Sequence, residues 1–301
     1  MLFTTTNAQE KRKQLRHHLD SGKLQRFPGA FSPLVAMLIE EQGFAGVYIS
    51  GAVLANDLGF PDIGLTTLSE VAQRGHQIAR VTNLPAIIDI DTGFGEPMNV
   101  ARTVRELENL GLAGCHLEDQ ENPKRCGHLD HKGLVPLAVM LRKIKAATQA
   151  RQDENFLLIA RTDARAVEGL GKAIDRARAY LEAGADIIFP EALQSLREFE
   201  AFRKHIPVPL LANMTEFGKS PLLSTKELAE LGYNLVIYPV TSLRLAMKAV
   251  EDGLAQLKTE GTQQALLPSM QTRKRLYELV SYEAYNTFDQ DVFNFEASSK
   301  D

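Results

Sequence analysis

A chain of 301 residues, 44% hydrophobic and 24% charged, is long enough for two small domains or one large α/β barrel, and its composition is globular rather than disordered. A formal net charge of −4 argues against the basic face that nucleic acid requires. No apolar run approaches a membrane span, and the opening MLFTTTNAQEKRKQLRHHL carries charges where a secretion signal needs an apolar stretch, so the expected compartment is the cytoplasm. Thiols stay reduced there, which argues against a Cys115–Cys126 disulfide.

In chain order, RFPGAF (26–31) is a weak first strand. EQGFAGVYISG (41–51) ends a helix at a glycine and enters a short apolar strand. A helical pattern over 68–81 leads to the strand AIIDIDT (86–92), and another over 100–110 leads to NLGLAGCHLEDQ (109–120). Helix 137–149 precedes the strand FLLIARTDA (156–164), and helix 170–184 precedes EAGADIIFPEA (182–192). PLLANMT (209–215), helix 225–232 and ELGYNLVIYPV (230–240) complete eight strands; helices over 242–261 and 270–285 follow. Four of the strands enter the same way, through a glycine that fits a helix C′ position needing positive φ.

Strands alternating with helices predict a parallel sheet, and closed up it is a (β/α)8 barrel. The rival is an open doubly wound sheet, but SGAVLANDLG after the second strand lacks the G-x-G-x-x-G phosphate loop. The expectation is one α/β barrel domain over 1–301, with a C-terminal helical extension (242–301) covering a barrel end or a neighbouring subunit.

Polar residues gather at the C-terminal strand ends, the catalytic face of barrel enzymes. They are Tyr48 and Ser50, Asp89 and Asp91, His116 and Glu118, Arg161 and Asp163, Glu191, Asn213 and Thr215, with Arg244 after the last strand. Strand alternation points Asp89 and Asp91 one way, and His116 and Glu118 together. Carboxylates converging on a mouth suit a hard cation with water in its shell, Mg2+ or Mn2+. The same aspartates also fit a turn cap or arginine pairing. Arg161 fits a carboxylate fork, or an ion pair with Asp163 or Glu191. His116 fits a buried hydrogen-bonded role as well as a catalytic one. In the polar loop after the fourth strand, Lys124, Arg125 and His128 flank Cys126 and would each favour its thiolate, whereas Cys115 reads as packing.

YISGA, DIDTGFG, HLEDQ, KRCGH, ARTDA, FPEA, ANMTEFG and the later GTQ…MQTR fall in order along almost the whole chain. With these motifs the chain resembles the isocitrate lyase/phosphoenolpyruvate mutase superfamily, and within it the 2-methylisocitrate lyase branch. The resemblance implies a barrel whose last helix is exchanged with a neighbour in a homotetramer built from dimers. It implies Mg2+ on Asp89 and Asp91, largely through water, with Glu118 nearby. It implies contacts to a small tricarboxylic acid from Ser50, Gly51, Ala52, Cys126, Gly127, Arg161, Glu191, Asn213, Met214, Thr215, Arg244 and Arg273. Ala52, where a glycine is expected, and Leu129, where an arginine is common, depart from the pattern.

The implied reaction is a retro-aldol-type cleavage of 2-methylisocitrate to pyruvate and succinate, a step of propionate catabolism by the methylcitrate cycle. Tyr48 is a candidate base and Cys126 the proton donor to the succinate carbanion. Phe189 and Pro239 are candidates to receive the extra methyl group. The alternatives are isocitrate lyase-like cleavage to glyoxylate and succinate, or an oxaloacetate-type hydrolysis or decarboxylation.

Overall fold

A computed structural model of the chain describes residues 4–295; the last residues of the expected extension, 296–301, lie outside them. The chain begins with α1 (Ala8–Asp20) and β1 (Gln25–Pro28), then α2 (Pro33–Glu41), β2 (Val47–Ile49), α3 (Gly51–Asp57), α4 (Leu68–Ala79) and β3 (Ala86–Asp89). It continues through α5 (Pro97–Asn109), β4 (Gly114–Glu118), α6 (Leu137–Ala150), β5 (Leu157–Thr162), α7 (Ala164–Val167), α8 (Leu170–Glu182) and β6 (Ile187–Pro190). It ends with α9 (Leu196–His205), β7 (Leu211–Asn213), α10 (Thr225–Glu230), β8 (Leu235–Tyr238), α11 (Thr241–Glu260), α12 (Arg273–Leu279) and α13 (Tyr282–Phe293).

All strand pairings are parallel: β2 to β6 in sequence order, and β1 with β8 and β7. Parallel bridges Gly29–Tyr48 and Ile188–Leu210 join the two arcs, closing the ring as the (β/α)8 expectation requires. The apolar residues divide by strand face. One cluster, with Ile88, Cys115, Leu117, Leu158 and Ile188, packs the outer face of the strands against the helices. The other fills the barrel with Phe27, Tyr48, Ile87, Ile159, Phe189 and Ile237, joined by Leu15 and Leu19 of α1. Helix α1, absent from the expected elements, therefore plugs the N-terminal end of the barrel. Its Arg12 donates to the carbonyls of Leu112 and Glu108. The charges that spoil a secretion signal are those of this plug.

The four recurring glycines, Gly43, Gly111, Gly184 and Gly232, all have positive φ. Each ends its helix with the same pair of bonds, as in Gly43 N–H to the Glu40 carbonyl and Phe44 N–H to the Ile39 carbonyl. The single helix expected over 270–285 is two, because Ser281 adopts φ 54° between α12 and α13. Helix α2 is the one expected to end at Gly43, whereas α3, α7 and α9 were not among the expected elements. Helices α11, α12 and α13 bury none of their residues, and Leu245, Met247, Val250 and Leu254 lie exposed along α11.

Candidate active site

Strand register builds the floor of the mouth. Asp89 sits beside His116, and Glu118 beside Arg161, so their side chains share the inner face. The third strand is shorter than expected and stops at Asp89; Asp91 has φ 48°. Asp91 therefore reaches the mouth through a turn, closed by its own N–H on Asp89 Oδ1 at 2.9 Å, and not by strand alternation. A Cβ at Gly51 would come within 3.0 Å of Asp89 Oδ2 and Asp91 Oδ1, so a side chain there would crowd both carboxylates. Its N–H donates to Asp89 Oδ2 at 3.1 Å. Ser50 is buried beside it, its side chain not used to cap α3.

Under this rim, Tyr48 Oη lies 2.6 Å from His116 Nε2, and Phe189 meets His116 edge-on and Arg161 face-on. Burial is the largest influence on both partners. It pushes the phenol well above its ordinary pKa and the imidazole down to about 3, so the tyrosine keeps its proton and the histidine is neutral. His116 is thus buried and hydrogen-bonded at the centre of the mouth.

Arg161 is surrounded by carboxylates: Glu118 Oε2 at 2.9 Å, Asp163 Oδ2 at 3.0 Å and Glu191 Oε2 at 3.5 Å. The ion-pair reading of Arg161 is therefore realised in the free protein. Burial would raise Glu191, but Arg161 and then His128 outweigh it and hold the carboxyl below its usual range. Glu118 is pushed the other way, chiefly by burial, as is Asp91, which rises to about 6. Asn213 donates to both Glu191 oxygens at 3.3–3.4 Å.

The loop after β4 folds over this floor. It is closed at its base by the Gln120–Leu134 bridge, and Gln120 exchanges bonds with the Arg125 main chain at 2.9 Å in both directions. Here the expected tuning of Cys126 fails. Lys124 is buried, paired with Asp62 and, at 2.7 Å, with Asp91 Oδ1. The Arg125 guanidinium donates to the Pro123 and Lys124 carbonyls. His128 Nε2 lies 2.9 Å from Glu191 Oε1. Burial, reinforced by Glu191 and Asp62 and opposed by the His128 N–H, raises the thiol pKa. Cys126 is a protonated thiol, not a thiolate. Cys115 is also free and fully buried, as its packing role predicts.

The pattern of the phosphoenolpyruvate phosphomutase family matches residues 15–258. The chain belongs to the phosphoenolpyruvate mutase family. Relatives named 2-methylisocitrate lyase run from 43% to 61% identity. One, named a probable 2-methylisocitrate lyase 2, from Corynebacterium glutamicum, is 59% identical over 96% of this chain and 94% of its own. Among solved structures, an oxaloacetate acetylhydrolase with 3,3-difluorooxalacetate superposes with a TM-score of 0.90 at 34% identity, covering 96% of this chain and 99% of that one. A phosphonopyruvate hydrolase with oxalate and Mg2+ gives 0.85 at 34%, covering 93% and 98%. Family membership carries the TIM-type barrel with it.

A family cation fits the residues present. Glu118 Oε1 is buried with neither a hydrogen bond nor an ion pair, the condition of a group that awaits a ligand, while Asp91 Oδ1 and Glu118 Oε2 are met only by Lys124 and Arg161. Among the described residues no three His, Cys, Asp or Glu side chains converge enough to hold a metal by themselves. Asp89, Asp91 and Glu118 are therefore not a closed cage, and water would have to complete the shell of a cation held there.

Three expected contact residues have other partners or surroundings in the free chain. The Met214 side chain packs in the outer core, where its sulfur accepts the Leu223 N–H. Arg244 is held by Glu216 at 2.8 Å and stacks over Phe217. Arg273 opens α12, and Arg275, two residues on, pairs with Glu41 at the end of α2 that leads toward the start of β2, away from the mouth. Ala52, Thr215 and Gly127 remain at the mouth ends of their elements. Sequence reasoning missed Asp62 and Lys132 as parts of the site: the sequence shows lysines in a polar loop but not that they are buried and paired with Asp62 and Asp163.

Proposed function

We propose that this protein is a carbon–carbon lyase that cleaves 2-methylisocitrate to pyruvate and succinate, in the methylcitrate cycle of propionate catabolism. The observation that carries the reading is a protonated thiol, Cys126, next to a glycine seated against Arg161 and Glu191. A Cβ at Gly127 would come within 2.6 Å of Arg161 Nη2 and closer still to Glu191. Cleavage to succinate leaves a carbanion that must gain a proton, and a protonated thiol at the mouth can supply it.

The substrate hydroxyl gives up its proton, the C2–C3 bond breaks, and its electron pair stays on the succinate half. The Cys126 S–H protonates that carbon. Tyr48 is the candidate base for that proton, and its phenol oxygen is oriented by His116 Nε2 at 2.6 Å. Asp89 Oδ1 lies 3.5 Å from the same nitrogen. Arg161, Asn213 and Thr215 orient carboxylates of the substrate, with Ser50, Gly51 and Gly127 supplying donors at the rim. Arg161 must then exchange one of its carboxylate partners for the substrate. Mg2+, or Mn2+ in its place, held by Asp89 and Asp91 through water with Glu118 nearby, would supply Lewis-acid stabilisation of the developing oxyanion. Phe189 and Pro239 are the apolar groups at hand for the methyl.

The same reading takes the chain as one barrel domain in a homotetramer, with the last barrel helix exchanged between subunits. The apolar side chains exposed on α11 support a partner copy there, and such a partner is how Arg273 would reach a mouth. Among the described residues no helix is long and apolar enough to cross a membrane. A working thiol fits the reducing cytoplasm.

A coupled assay with 2-methylisocitrate and isocitrate in parallel, with and without Mg2+, tests the proposal. Pyruvate release from the former should dominate and depend on the metal. Glyoxylate released faster than pyruvate, or full activity in EDTA, would overturn it.

A further inference from the structure

Lys132 has no part in the chemistry above, yet its ammonium is almost completely buried, with the side chain 1% exposed. An ion so placed is kept only where it has partners, and it has two. Its Nζ lies 2.7 Å from Asp163 Oδ1 and also donates to the Gly127 carbonyl. The first partner belongs to the barrel wall, just past β5, where Asp163 also receives Arg161 at 3.0 Å and anchors its own N–H on Asp119. The second belongs to the loop, at the residue after Cys126. One buried point charge thus ties the main chain beside the thiol to the carboxylate that orients Arg161.

The backbone is shaped to deliver it. His131, immediately before, takes φ 62°, a conformation that non-glycine side chains adopt at a cost, and this turns Lys132 inward beneath the loop. Other contacts hold other parts of the segment: Gln120 grips Arg125, and Glu191 and the Lys219 N–H grip the His128 ring. Lys132 is the side chain that grips the main chain at Gly127, where a displacement of the loop would move both the thiol and the glycine packed against Arg161 and Glu191.

We infer that Lys132 is a positioning residue for the reaction, a latch that fixes the Cys126–Gly127 segment over the mouth in register with Arg161 through Asp163. The inference rests on Cys126 being the proton donor of the proposed lyase. Its structural half, the hold on the thiol's position, stands apart from any substrate.

The test uses Lys132→Met and Lys132→Arg in the full chain, with circular dichroism as the check on folding. Cys115 is buried, so iodoacetamide labelling reports Cys126. In Lys132→Met we expect labelling about tenfold faster and kcat lower by about 100-fold, the effect of a misplacement of roughly 1 Å, with KM changed far less. Lys132→Arg keeps the charge and the pair with Asp163, but its planar fork cannot reproduce both bonds from one nitrogen, so both readouts should lie between. Should Lys132→Met not fold, Lys132→Arg carries the test alone. Labelling and kcat within about twofold of wild type in the folded variant would overturn the inference. Labelling needs no substrate, so a failure to turn over 2-methylisocitrate would count against the lyase reading and leave the latch to be judged by the thiol.

Discussion

Lys124 Nζ stands 2.7 Å from Asp91 Oδ1, with Asp62 on its other side. The lysine of KRCGH therefore serves the acidic floor of the mouth and not the cysteine two residues on. Burial alone would lower its pKa, but Glu118, Asp91, Asp62 and Asp89 outweigh that and keep it charged. Lys124→Met should leave those carboxylates facing one another without a counter-charge. We expect loss of at least about 100-fold in kcat/KM, about 2.7 kcal/mol of transition-state stabilisation. The decisive control is Mg2+ affinity measured by calorimetry, which should change in the same variant.

Cys126 is held protonated, chiefly by burial. Its alkylation rate should therefore rise with pH to a midpoint above the ordinary thiol value of 9.0. Cys126→Ser should keep the fold and lose activity by about 1,000-fold or more, since a serine hydroxyl is a far weaker acid to a carbanion. A pH–alkylation midpoint below neutrality would contradict the acid role.

Gly127→Ala tests the seating of the loop. The new Cβ would lie 2.6 Å from Arg161 Nη2 and 2.7 Å from Glu191 Cδ, and both side chains are themselves held in ion pairs. The loop must lift. We expect an unchanged circular dichroism spectrum and kcat/KM lower by about 100-fold. Activity near wild type would show that the loop works without this contact.

Metal and pH should be linked. Burial and the neighbouring Asp89 raise Asp91 to about 6, above its ordinary 3.8. Its contribution is fully present below about 4 and is lost as pH rises through about 6, because the folded protein then holds a charge it disfavours. Metal-free protein should accordingly lose a few degrees of Tm over that interval. Mg2+, which favours the charged carboxylate, should raise Tm more at pH 7.5 than at pH 5. Glu191, depressed by Arg161 and His128, acts oppositely but only below its ordinary 4.5, outside that window. Differential scanning fluorimetry with EDTA or Mg2+ at the two pH values measures both effects; an Mg2+ shift larger at pH 5 would contradict the placement of the cation.

Much of the fold was legible because it depends on local rules. The glycines at 43, 111, 184 and 232 need positive φ wherever a helix turns into a buried strand, and short apolar runs after them had no other reading. Strand ends were less legible. Asp91 continues the alternation of AIIDIDT on paper, but the chain leaves the pleat after Asp89 and a side chain–main chain bond takes over.

The sequence by itself determined which residue types stand at the mouth and in what order, since that follows from strand period and chain polarity. Only the tertiary structure decided their partners. Lys124 turns to Asp91, His128 to Glu191 and Lys132 to Asp163, across separations in sequence that no local pattern encodes. Charge near a thiol in sequence favours its thiolate only if the charge faces it. Here Lys124 and His128 are claimed by buried carboxylates and Arg125 by main-chain carbonyls, and desolvation sets the cysteine's state instead.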